Sequence, residues 1–236
     1  MAMIHSLDSR LAPYGLIVLG GFPVEAGDPP LPSGAPARFG ALIGNAGPAM
    51  WRAFAAARRD EPHPLNAWNR RVVDPVAADL GATAVYPFDE PFLPFHRWAG
   101  RTGTIFASPM TPAIHPVYGT WFGLRGALFS AEPLADMPPP VAHPCESCVE
   151  KPCLDVCPAD AIRTKDGGRC LDHLERHPES DCVAHACRAR RACPVGREFA
   201  YRPDQARFHM EAFVRDFGDV MRKWRASTAG KSLDST

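Results

Sequence analysis

Apolar residues in the first 140 positions alternate between short runs and helix-spaced stripes. The runs at residues 16–19, 39–45, 82–86 and 120–130 are short and largely apolar, which favours buried strands. Gly47-Pro48 precedes a stripe of Met50, Phe54 and Ala57, and residues 64–80 continue as a second helical pattern. The pattern therefore predicts a mixed α and β region in which helices cover a sheet.

A longer helical stripe begins at residue 204. Its apolar positions recur at steps of three and four and predict an amphipathic helix of about 20 residues. We expect it to pack against the rest of the protein, with a dimer seam as the alternative, and we expect residues 228–236 to fray. The stripe consists of Ala206, Met210, Phe213, Phe217, Val220, Met221 and Trp224.

Composition and charge fit an ordinary globular protein. The chain has 236 residues, 46% of them hydrophobic and 22% charged. Lys+Arg and Asp+Glu are both 26, so bulk charge does not indicate a nucleic-acid or membrane partner. No apolar run approaches the roughly 18 residues of a membrane span, and no basic segment with an apolar run opens the chain. We therefore expect a cytoplasmic protein with no membrane partner.

The cysteines divide the chain. All eight lie between Cys145 and Cys193, and the first 144 residues contain none. A disulfide framework would more often spread over a whole small secreted fold, and cytosolic thiols stay reduced. Clustered reduced cysteines are most often metal ligands, so the pattern predicts a metal-binding region at residues 141–200.

The spacing favours iron–sulfur clusters over zinc. Two runs each end in Cys-Pro, and one cysteine stands alone between them. Zinc commonly takes two separated pairs of thiolates and does not require a proline after the last cysteine. Three closely spaced cysteines wrap a four-iron cluster, and the fourth, followed by proline, ligates the other cluster of a two-cluster ferredoxin. The runs are Cys145, Cys148, Cys153 and Cys157, and then Cys182, Cys187 and Cys193, with Cys170 between.

Residues 145–162 resemble ferredoxin-type modules of redox enzymes. Crossing the two runs as ferredoxins do implies two [4Fe-4S] clusters, and the eight thiolates match the number that two clusters require. One cluster with four structural cysteines is the alternative, as is a zinc site, and Cys170 and Cys182 are the least secure ligands. The resemblance assigns Cys145, Cys148, Cys153 and Cys193 to the first cluster and Cys157, Cys170, Cys182 and Cys187 to the second.

Arginines accompany the second cysteine run. A reduced cluster with its thiolates is negatively charged, so nearby cations tune its potential. We interpret these arginines as a solvated or charge-compensating face, with docking of a redox partner protein or an RNA backbone as the alternative. They are Arg188, Arg190, Arg191 and Arg197.

The most distinctive segment of the cysteine-free part is residues 114–129, which begins Ile-His-Pro-Val-Tyr-Gly-Thr-Trp-Phe-Gly. It resembles a segment shared by the epoxyqueuosine reductase family and the MMACHC-type cobalamin chaperone family, which belong to one flavin-reductase-like superfamily. The resemblance implies cobalamin binding, with a flat aromatic wall beside flexible glycines. Packing of the same aromatics within the sheet is the alternative. The implied cofactor-binding residues are His115, Tyr118, Gly119, Trp121 and Phe122.

These observations predict an α+β protein in three parts. Residues 1–140 form an MMACHC-like domain, residues 141–200 a two-cluster ferredoxin-like domain, and residues 201–236 a terminal helix with a frayed tail. We expect an iron–sulfur redox protein that passes single electrons to cobalamin, as a cobalamin reductase or a cobalamin-dependent reductase. A ferredoxin-like carrier without corrin and a shortened epoxyqueuosine reductase that acts on tRNA are the alternatives. No catalytic residue can be assigned.

Overall fold

The computed structural model describes residues 4–229, which form an α+β protein with a four-stranded antiparallel sheet. The chain divides into two compact units. The first unit comprises the chain up to Ser108, Pro112–Ser147 and Val195–Phe199; the second comprises Pro109–Thr111, Cys148–Pro194 and the chain from Ala200 onward. Across residues 4–229, none of the helices is long and apolar enough to cross a membrane.

The boundary between the two units differs from the predicted domain boundary at residue 140. Residues 141–147 stay with the first unit, and Val195–Phe199 returns to it immediately after the last Cys-Pro pair. Proline cannot continue a regular helix or ladder, so the chain turns away at Pro194. The first unit is therefore discontinuous in sequence.

The first unit contains the sheet, whose strand order is β1-β2-β4-β3 with antiparallel neighbours throughout. The four predicted strands and the two predicted helices after Gly47 are confirmed. The sequence pattern did not predict the first and fourth helices. In chain order the elements are α1 (Ile4–Leu11), a 3₁₀ turn (Ala12–Tyr14), β1 (Ile17–Pro23), β2 (Phe39–Ala46), α2 (Ala49–Ala57), α3 (Pro64–Asp79), β3 (Thr83–Val85), α4 (Phe95–Arg101) and β4 (Phe122–Ser130).

Helix α4 packs its aromatic side against the sheet. Trp98 is fully buried, stacks on Phe22 at a ring-centroid distance of 6.1 Å and meets Phe129 edge-on at 5.0 Å. Gly40 makes room for Phe22, because a Cβ at residue 40 would lie 2.3 Å from that ring. Aromatic burial of this size contributes several kcal/mol of stability.

A buried carboxylate ties α4 to the loop after β1. Asp28 accepts a hydrogen bond from the Trp98 indole at 2.8 Å and one from the Arg101 guanidinium at 2.5 Å. Its side chain is 5% exposed. Burial alone would raise the pKa of Asp28, but the backbone N–H of Glu25, Trp98 and Arg101 together lower it. The carboxylate is therefore held in its charged form.

The second unit is made of short helices packed against one long helix. The predicted amphipathic helix is confirmed and begins one residue earlier, at Pro203; the side chain of Trp224 and the tail after Ala229 lie outside the described residues. Met210, Phe213 and Val214 pack with Leu174 and Val183. The elements are a 3₁₀ turn (Pro152–Leu154), α5 (Ala161–Thr164), α6 (Gly167–Arg176), α7 (Asp181–Ala184), α8 (Arg188–Ala192) and α9 (Pro203–Ala229).

Candidate functional site

Seven of the eight cysteines lie in the second unit, and all eight are free thiols. Cys153 lies in the Pro152–Leu154 turn, which packs against α8. Cys187 and Cys193 flank α8 as its N-cap and C-cap residues. This packing brings the first cysteine run to the second, although the two are distant in sequence.

The first group of neighbouring thiols contains Cys148, Cys153 and Cys193. Burial raises the pKa of Cys153, and the charges of Cys193 and Cys148 raise it further. Cys153 therefore has as neighbours one cysteine of its own run and the last cysteine of the other. Cys145 is half-buried at the end of the first unit, and its assignment to this group stays a prediction.

The second group contains Cys157, Cys170, Cys182 and Cys187. Burial raises the pKa of Cys170 to about 12, with further contributions from the charges of Cys187, Cys157 and Cys182. The lone cysteine between the runs is thus near enough to the other three for their charges to affect it. Cys170 and Cys182 also contact the core below α9. We call the two groups the first and second thiolate sets.

Arg188 and its neighbours surround the thiol of Cys182. Burial raises the pKa of Cys182, while a hydrogen bond from the backbone N–H of Arg188 lowers it. The Arg188 guanidinium and that of Arg191 both bind the Asp181 carboxylate, at 2.8 Å and 2.6 Å. The sequence analysis identified both arginines but not Asp181, although this residue directly precedes a predicted ligand. Both arginines therefore pair with Asp181, and their compensation of a cluster's charge stays a prediction.

Burial and neighbouring thiols oppose ionisation of one cysteine in each set. Burial and the charges of neighbouring thiols raise the pKa of Cys153 and of Cys170. Within residues 4–229, no group of three or more His, Cys, Asp or Glu side chains is compact enough to hold a single metal ion.

The residues expected to bind cobalamin form a tight turn in the first unit. Gly119 and His115 exchange backbone hydrogen bonds of 2.8 Å and 2.9 Å. The His115 Nδ1 accepts from the backbone N–H of Val117 at 3.1 Å and of Tyr118 at 3.3 Å. Burial lowers the pKa of His115 to about 4, so the ring is neutral at pH 7. The His-Pro-x-aromatic-Gly pattern thus has a structural explanation in this turn.

The aromatic wall of this turn is covered by the protein itself. Trp121 and Phe122 are buried, at 2% and 8% exposure. The Tyr118 ring meets Phe199 edge-on at a centroid distance of 4.9 Å, and Gly119 abuts the Val195 backbone. Phe122 also joins the core below α4. Trp121 and Phe122 are therefore core residues, whereas His115 and Tyr118 are half-buried, and cobalamin binding stays a prediction.

Comparison with known proteins assigns no family. No protein-family model matches the chain, and no curated protein matches it significantly. The residues of the two thiolate sets therefore carry the functional argument.

Proposed function

We propose that this protein is an iron–sulfur electron carrier with two [4Fe-4S] clusters, one in each thiolate set. The observation that carries the proposal is the grouping of Cys153 with Cys193 and of Cys157 with Cys170 and Cys187. Each set draws cysteines from both runs, as in the crossed arrangement of two-cluster ferredoxins. Two zinc sites, each built from one contiguous run, would have given the opposite grouping.

The chain's own residues would hold each cluster, shield it from water and compensate its negative charge. A [4Fe-4S] cluster, when bound, accepts and releases one electron at a time. Cys153, Cys182 and Cys193 are buried, which excludes water from part of each set. The Arg188 N–H donates to the Cys182 sulfur and stabilises negative charge there. One electron enters from a reduced partner protein and one leaves to an oxidised partner, so the carrier returns to its starting state.

Cobalamin is not part of the proposal. Tyr118 and Gly119 are covered by Val195–Phe199, and Trp121 and Phe122 are buried in the first unit. The turn at residues 115–119 offers a structural reason for the His-Pro-x-aromatic-Gly pattern that requires no bound corrin. We therefore favour the carrier without corrin among the three functions that the sequence allowed.

The test is purification under anaerobic conditions with metal and sulfide analysis. We expect about eight iron atoms and eight sulfides per chain and an EPR signal after reduction by dithionite. A preparation that holds zinc, or that takes up no iron and sulfide on reconstitution, would contradict the proposal. A yield of about four iron atoms would favour the alternative of one cluster with four structural cysteines.

A further inference from the structure

His143 begins the turn that carries Cys145, the predicted cluster ligand that belongs to the first unit. The sequence His-Pro-Cys-Glu at this point suits a β-turn, because proline favours the second position of such turns. The backbone N–H of Glu146 donates to the His143 carbonyl oxygen at 3.0 Å and closes the turn. Cys145 therefore occupies the third position of a closed turn.

The His143 imidazole holds the same turn through a second hydrogen bond. Its Nδ1 accepts from the backbone N–H of Cys145 at 3.1 Å. This bond joins a side chain to the N–H two residues later, which is the contact that Asn and Asp side chains make in Asx-turns. His143 therefore binds the backbone N–H groups of both Cys145 and Glu146.

The rest of the imidazole is anchored to the first unit. Because Nδ1 accepts, the ring proton is on Nε2, which donates to the Ala107 carbonyl oxygen at 3.0 Å. The ring also stacks on Phe106, at a centroid distance of 4.7 Å and an interplanar angle of 26°. Phe106 exchanges backbone hydrogen bonds of 2.9 Å and 2.8 Å with the buried residue Ile114. Both ring nitrogens and one ring face of His143 therefore serve to hold it in place.

We propose that His143 is a positioning residue for Cys145 and holds this cysteine ready to bind the first [4Fe-4S] cluster, an inference that rests on the proposed function. Cys148 of the first thiolate set is only three residues further along the chain, so the fixed turn adjoins that set in sequence. Groups that orient a metal ligand commonly change metal affinity by about 10–100-fold when they are removed. His143 is not a ligand itself, since both of its ring nitrogens are bound to backbone groups.

Two substitutions separate the hydrogen bond from the ring. His143→Phe keeps an aromatic ring against Phe106 but has no acceptor for the Cys145 N–H, whereas His143→Asn restores an acceptor in the Asx-turn position. After anaerobic purification, we expect His143→Phe to retain about half of the iron and sulfide and His143→Asn to retain nearly all of both. His96→Phe is the matched control, because His96 is an exposed histidine of α4 in the same unit. It should leave the iron content unchanged.

Combined variants show whether His143 acts through Cys145. Cys145→Ser alone should lose one cluster, and adding His143→Phe should remove no further iron, because both changes affect the same cluster. Adding His143→Phe to Cys157→Ser should remove nearly all of the iron, because Cys157 belongs to the second thiolate set. The EPR spectrum of reduced His143→Phe should match that of Cys145→Ser and differ from that of Cys157→Ser.

Full iron content in His143→Phe or in Cys145→Ser would overturn the inference, and so would failure of His143→Asn to restore the iron. An equal loss of iron in His96→Phe and His143→Phe would also overturn it, because the effect would then not depend on the turn. The proposed function fails on a different result, which is the absence of iron and sulfide from the unmodified protein after reconstitution. That result would remove the inference as well.

Discussion

A Cβ added to Gly119 would lie 2.0 Å from the carbonyl oxygen of Val195. The approach is reciprocal, because a Cβ added to Gly196 would lie 2.3 Å from the carbonyl carbon of Tyr118. Both glycines have positive φ, at 57° and 71°. The turn at residues 115–119 and the returning segment fit together because neither glycine carries a side chain.

Gly119→Ala should therefore destabilise the first unit. The added methyl group meets backbone rather than a flexible side chain, and the left-handed conformation is also unfavourable for alanine. We expect the free energy of unfolding to fall by about 2–4 kcal/mol. Urea unfolding followed by circular dichroism measures this loss. Gly81→Ala is the control, because its φ is 62° and no atom lies within 4 Å of the added Cβ. Equal losses in the two variants would show that the contact with Val195 is unimportant.

Paired cysteine substitutions can establish which thiols share a cluster. In the proposed sets, Cys153 and Cys193 hold the same cluster, so Cys153→Ser combined with Cys193→Ser should retain about half of the iron. Cys153 and Cys157 are neighbours in sequence but belong to different sets. Cys153→Ser combined with Cys157→Ser should therefore lose nearly all of it.

Iron and sulfide counts after anaerobic purification compare the two double variants. The single variants serve as controls, and each should retain about half of the iron. If the pair Cys153 and Cys193 lost nearly all iron while the pair Cys153 and Cys157 retained half, the clusters would be held by contiguous runs. The crossed assignment would then be wrong.

The buried carboxylate of Asp28 should make stability depend on pH. Its pKa in the folded protein lies below the ordinary aspartate value of about 3.9. The stabilisation is therefore present above about pH 4 and is lost as the pH falls through the folded-state pKa. Asp28→Asn should lower the free energy of unfolding by about 2–3 kcal/mol at pH 7, and the difference from the unmodified protein should shrink in acid.

Urea unfolding at pH 7 and at pH 3 measures this difference. Asp79→Asn is a suitable control, because Asp79 forms an exposed ion pair with Arg10 and its side chain is 64% exposed. Such pairs contribute about 0–1 kcal/mol. A loss for Asp28→Asn that stays constant between the two pH values would contradict the proposed role of the carboxylate charge.

Cobalamin should not bind to the turn at residues 115–119. We expect the visible absorption bands of hydroxocobalamin to stay unchanged when it is mixed with the cluster-loaded protein, because the aromatic side chains are already packed. Equilibrium dialysis provides a second measurement. A spectral change that Tyr118→Ala abolishes, with the iron content retained, would restore the corrin proposal.

Local sequence pattern was sufficient for the sheet strands and for α2, α3 and α9. The strands are short apolar runs, and the helices have a period of 3.6 or a proline at their start; such signals act over a few residues. Helix α4 has only seven residues, too few for a clear period. Its place is set by Trp98 packing on Phe22 and Phe129, which are far away in sequence.

The candidate site also depends on contacts between residues that are distant in sequence. Cysteine spacing gave the count of thiolates, and the resemblance to ferredoxins gave the crossed sets. The role of the 115–122 segment was harder to predict, because aromatic residues beside glycines suit either a ligand wall or a packed turn. The contacts that favour a packed turn are those of Val195–Phe199, about 80 residues away. Asp181 was missed because only folding brings it between Arg188 and Arg191.

The return of Val195–Phe199 to the first unit limits how the gene can be divided. A fragment ending at Ser147 would lack five residues that belong to its own unit, and the Tyr118 ring would lose its edge-on contact with Phe199. Replacing the cysteine-rich stretch with one from another protein would succeed only if Val195–Phe199 were kept with the sheet. Recombination between such proteins should therefore favour crossover points after residue 199 over those near residue 147.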